Sequence, residues 1–198
     1  MKKQSIIAIA IIIVLVMIVT VALLLSQNGK KITDENKITD LKEAASLDIM
    51  VNLGEFSQSH YEDSKLLDVS MQLAEKLGMM STYSDEEVFI EYVSREDLHS
   101  LIQEFTGLII EAPIEVEDFY YLYDSENDYY YYRPATPSYY SINVISSVKE
   151  NGNQYHITCS ASKTEDTEVL DVLPEVKISL TYMPKNEYMK YQVNKISY

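Results

Sequence analysis

The chain has one cysteine, no tryptophan, three histidines, five glycines and five prolines among its 198 residues. Each scarcity closes off some chemistry. A lone Cys159 cannot form an intrachain disulfide, so the fold has to stand on its hydrophobic core. A segment of about 160 residues buries roughly 68–70% of its unfolded surface, which suffices for one such core. With no CxxC and no histidine pair at metal-ligand spacing, a zinc centre has no ligand set, and no cofactor is implied. The few glycines form no phosphate-cradling loop, and neither GxSxG nor SxxK occurs. Nothing here selects a catalytic residue, and the pattern argues against an enzyme.

Positive charge is short as well. Of the 16 Lys and Arg, four lie in residues 1–31, which hold no acid; the rest of the chain sets 12 cations against all 31 acids, net −19. Such a domain repels phosphate backbones, which excludes nucleic acid as the expected partner. It also disfavours lying flat on an anionic leaflet.

What the chain does have is an apolar run. Residues 6–25, IIAIAIIIVLVMIVTVALLL, contain one hydroxyl and no charge, Gly or Pro. As a helix this run would be roughly 30 Å long, the thickness of a hydrocarbon core. It is longer than the core of a cleavable signal peptide and ends in leucines rather than small residues, so it reads as an uncleaved signal-anchor. The Met-Lys-Lys leader favours a cytoplasmic N-terminus and an extracytoplasmic remainder, since long domains translocate largely regardless of charge. The expected layout is a stub and anchor over 1–25, a polar tether over 26–38 and one domain over 39–198. That domain divides into a helical part, 39–110, and a sheet part, 113–198.

Three helices are expected. Asp40 and Glu43 open one over 40–53, ended by Gly54; the second covers 64–77, ended by Gly78. Residues 87–93 suit a strand. Ser94 then caps a third helix whose buried stripe is Leu98, Leu101, Ile102 and Phe105, ended by Gly107. From 113 onward the period is two. Asn151-Gly152 predicts a hairpin pairing Val148 with Tyr155, Val144 with Cys159 and Ile142 with Ala161. A second hairpin turns at 184–187 and pairs Leu180 with Tyr191 and Ile178 with Val193, with a bulge near Asn194-Lys195. The fold class is α+β: an N-terminal transmembrane helix, then about three helices packed on an antiparallel meander of about four to six strands.

Cys159 and His156 are three apart and so point to opposite strand faces, which leaves Cys159 in the core. His99 falls beside Arg95 and Gln103 on a solvated helix face, and His60 lies in an irregular stretch near Glu62 and Asp63. Asp124, Glu126 and Asp128 alternate like calcium-loop ligands, but Tyr129 and Ala135 stand where the loop needs Gly and Glu, so DSEND reads as a hairpin tip and no metal is assigned. Nine of the 17 tyrosines crowd into residues 119–140. Strands favour Tyr, and one set of rings has to pack inward. The outward set forms an aromatic platform, a rigid apolar surface with hydrogen-bonding tips. The candidate binding residues are therefore Tyr129, Tyr130, Tyr131, Tyr132, Tyr139 and Tyr140. Parity joins Tyr129 with Tyr131 and Tyr130 with Tyr132 without deciding which pair is outside.

In its basic leader, apolar anchor, short tether and tyrosine-rich domain the chain resembles single-pass, membrane-anchored extracytoplasmic proteins of Gram-positive bacteria. That resemblance implies a place at the plasma membrane facing the envelope, and no particular activity. Helices on a curved antiparallel sheet also resemble nuclear-transport-factor-2-like and cystatin-like folds, an analogy that transfers no functional residue. The function expected is a non-enzymatic binding module held by residues 6–25, with an envelope glycan or protein as partner. The alternative is a pocketed domain that binds or processes a small ligand.

Overall fold

A computed structural model describes residues 29–84, 89–116, 121–132, 139–165 and 168–198. The apolar run 6–25 lies outside these. Among the described residues no helix is long and apolar enough to cross a membrane.

Among the described residues the expected single meander on three helices gives way to four helices and two antiparallel sheets. In chain order the elements are β1 (Lys30–Ile32), α1 (Glu35–Ala44), α2 (Leu47–Met50), β2 (Phe56–Ser57), α3 (Asp63–Lys76), β3 (Ser81–Ser84), β4 (Phe89–Ser94), α4 (Arg95–Thr106), β5 (Tyr121–Asp124), β6 (Tyr129–Tyr132), β7 (Tyr140–Asn151), β8 (Gln154–Glu165), β9 (Glu168–Tyr182) and β10 (Tyr191–Ser197). The larger sheet has the order β1-β7-β8-β9-β10-β2, the smaller β3-β4-β6-β5. The tyrosine hairpin β5–β6 pairs with β4, not with β7, and this splits the sheet in two. The segment expected to be a tether contributes β1, paired to β7, and the start of α1.

A continuous helix over 40–53 does not form. Asp34, six residues before the expected start, accepts from the Asn36 and Lys37 amides and caps α1. The chain then breaks at Ser46, which takes a left-handed φ of 50°. The break has a packing reason. Ala45, Leu47, Met50, Val51 and Leu53 are all buried, and one straight helix has no single stripe that holds them. Helices α3 and α4 fall where expected. The Ser94 hydroxyl caps α4 by accepting from the Asp97 amide, and Gly107 ends it at a φ of 74°. Helix α4 lies between the sheets: it packs on β10 on one side and bonds to β6 through His99 on the other.

The β7–β8 hairpin forms, with a shifted register. Asn151 pairs with Gln154, so the two-residue loop is Gly152-Asn153, and Gly152 at a φ of 63° takes the first loop position. Val148 consequently faces Ile157, not Tyr155. Two bulges on β7, at Asn143 and Ser146, absorb the difference by the time Ile142 meets Ala161. They also turn Val144 outward, to 60% exposure, and put Ile145 opposite Cys159. The second hairpin shows the bulge expected near Asn194, but Tyr191 pairs with Tyr182 and Val193 with Leu180, a longer loop than foreseen.

Candidate binding surfaces

The β5–β6 turn is built from its own acids. Asp124 accepts from the amides of Glu126 and Asn127 and from the Asn127 side chain. Asp128, at a φ of 61°, forms an ion pair with Arg95 at 2.7 Å and accepts from the Tyr123 hydroxyl at 2.5 Å. Its carboxyl pKa is held below the usual range by the Tyr123 bond first and the Arg95 bond second. These acids therefore pin the hairpin tip to the start of α4. Among the described residues no group of three or more His, Cys, Asp or Glu could hold a metal ion.

Pairing across the small sheet sorts its side chains into two faces. Glu91, Tyr132 and Tyr121 form one inner row, and Val93, Tyr130 and Tyr123 the next. Tyr130 is 1% exposed; its hydroxyl accepts from the Ile114 amide at 2.7 Å and lies 3.0 Å from His99 Nε2. The His99 pKa is lowered mainly by burial, which favours the neutral ring. His99 is thus half-buried and engaged, where a solvated face was expected. Tyr132 is buried and stacks on Tyr121 at 5.5 Å, 12° between planes. Asp68 on α3 receives the Tyr121 and Tyr139 hydroxyls and the Gln72 side chain. Burial, above all, raises the pKa of both phenols. Glu91 has one buried carboxylate oxygen without a partner among the described residues, and its pKa is raised by burial and then by Glu75.

The outer face carries Tyr83 and Ile90 on one side, then the row Tyr92–Tyr131–Leu122, then Tyr129. Tyr92 lies between two rings, 5.1 Å from Tyr129 in an edge contact and 5.9 Å from Tyr131. Leu122 is 66% exposed and Tyr83 57%. At the β5 edge, a cleft of about 270 Å³ runs between Ile114–Val116 and Leu122.

Of the six tyrosines singled out in sequence, Tyr129 and Tyr131 share this outer face. Tyr130 and Tyr132 lie beneath it in the core. Tyr139 is tied to Asp68, and Tyr140 is tied to Asp171 and Asn52 beside the larger sheet. Tyr92, Leu122 and Tyr83 were missed. Their signal was available: Tyr92 has outward parity in β4, and the DSEND turn sets Leu122 opposite Tyr131.

Cys159 is buried, and desolvation pushes its thiol up to about 11, which disqualifies it as a nucleophile. His156 points to the opposite, exposed face of β8, and His60 is exposed. Comparison with family models, with characterised proteins and with solved structures returned no match.

Proposed function

We propose that this chain is a non-enzymatic binding module, held at the plasma membrane by residues 6–25 with its domain on the extracytoplasmic side. Its contact surface is the outer face of the four-stranded sheet, and its partner is an envelope protein. The observation that carries the reading is the cluster of Tyr83, Ile90, Tyr92, Leu122, Tyr129 and Tyr131 on one face of a small sheet. Tyrosine supplies rigid contact area at low entropic cost, and the core of a protein interface is enriched in it. The rings are tilted against one another, and aliphatic Leu122 and Ile90 sit among them; this mixed relief suits a protein better than a flat sugar ring.

The alternative, a pocketed ligand-processing domain, has less support. The space between α4 and the six-stranded sheet is filled by Phe105, Ile178, Val193 and Ile196, all buried. A photo-crosslinking residue at Leu122 tests the proposal in native membranes. It should trap a discrete partner band that the same probe at Val169, exposed on β9, does not. Identical labelling from both positions, or a band of polydisperse glycan, contradicts the assignment.

A further inference from the structure

The six-stranded sheet has a second, chemically different face. Reading straight across its strands, the pairing aligns Lys31 with Lys149, Lys149 with His156, His156 with Ser179, Ser179 with Lys195 and Lys195 with Ser57. One residue from every strand lines up in a row of three lysines, a histidine and two serines, with no carboxylate. The adjacent row is Ser147, Thr158, Lys177 and Ser197. The helices cover the opposite face, where Val148, Ile157, Ile178 and Ile196 are buried. The two rows, apart from Lys31 and Ser57 at the ends of the first, line a shallow groove of about 450 Å³.

This concentration is anomalous beside residues 32–198, whose net charge is −19. Lys31, Lys149 and Lys195 are in no ion pair among the described residues, while Lys177 pairs with Glu175 at 2.7 Å. Glu150, the sequence neighbour of Lys149, turns to the other face and accepts from Tyr155. The His156 ring lies 3.3 Å from the Ser179 hydroxyl, and both border the groove.

The geometry points to a linear, phosphate-bearing polymer as the occupant of this groove, lying across the strands. Strands lie about 4.8 Å apart, so Lys149 and Lys195, three strands apart, are separated by roughly 14 Å. One small anion cannot reach both, whereas a chain of phosphates can. Point-charge ammonium groups interleaved with hydroxyl donors suit the tetrahedral oxygens of phosphate, which lysine binds as a point charge without needing a planar fork. Neither row carries a Phe, Tyr or Trp ring for a base to stack on, and the one imidazole, His156, is engaged with Ser179, which disfavours a single-stranded nucleic acid. The acidic remainder of the domain repels the polymer elsewhere and confines it to this strip.

The test is an equilibrium titration of the full chain with short inorganic polyphosphate at low ionic strength. Saturable binding that weakens with added salt is expected. Lys149→Gln/Lys195→Gln should weaken it roughly tenfold with an unchanged melting curve, because both side chains are exposed. Lys65→Gln/Lys185→Gln, which removes the same charge away from the groove, should leave affinity unchanged. The proposal is overturned by an absence of saturable binding, or by equal loss in the control pair. It is also overturned if polyglutamate or oligothymidylate binds as tightly, or if the groove variant merely abolishes self-association of the chain.

Discussion

His99 Nε2 and the Tyr130 hydroxyl share a hydrogen bond, and that hydroxyl accepts from the Ile114 amide, so a short relay ties α4, β6 and the segment after α4 together. Burial lowers the His99 pKa from 6.5, with Arg95 adding to the effect against the pull of Asp128 and the Ile110 carbonyl. The sign follows from linkage. A folded-state pKa below the unfolded value gives a contribution fully present above pH 6.5 and lost as pH falls through the folded pKa. Melting temperature should therefore decline as pH drops below about 6.5, and His99→Gln should flatten that decline. The decline due to Asp124 and Asp128, whose pKa values are depressed below 3.8, lies in a separate and more acid window. An unchanged pH profile in His99→Gln would remove His99 from the relay.

At the scale of elements, Glu104 explains why the second hairpin departs from its expected register. Its carboxylate accepts from the backbone amides of Glu187 and Tyr188 at 2.6 Å and of Met189 at 2.9 Å. One side chain on α4 thus closes the β9–β10 loop from 85 residues away in sequence. Removing it leaves partly buried amides unsatisfied; Glu104→Ala should cost roughly 1–3 kcal/mol, read from chemical denaturation. Helix α4 and the inward set Ile157, Cys159 and Ala161 were legible because caps, Gly stops and alternation are local signals. The bulges at Asn143 and Ser146 were not, since what fills them is non-local: Ser162 donates to the Asn143 side chain, and the Ser146 hydroxyl donates to the Thr158 carbonyl. The choice of β4 as partner for the tyrosine hairpin was hidden for the same reason. It rests on burying Tyr130 beside His99 of α4 and Tyr132 on Tyr121, which is held by Asp68 of α3, contacts that no window of sequence contains.

At the scale of the molecule, α4 lies between two sheets, and each turns outward a face that no described helix covers, one aromatic and one basic. The basic row was readable in principle. Lys149, His156, Lys177 and Lys195 are each one residue from a core position, but only the register shows that three of them share a line with Lys31. The aromatic face carries the central claim, and substitution of the paired tyrosines tests it most directly. Tyr130→Ala/Tyr132→Ala removes two buried rings and should destabilise the domain by roughly 3 kcal/mol or more. Tyr129→Ala/Tyr131→Ala removes two half-buried rings that pack on Tyr92, so it should cost less, about 0.5–1.5 kcal/mol per site, leave the domain folded and abolish partner capture from native membranes. Capture that survives loss of Tyr129 and Tyr131 in a stably folded protein would contradict the account.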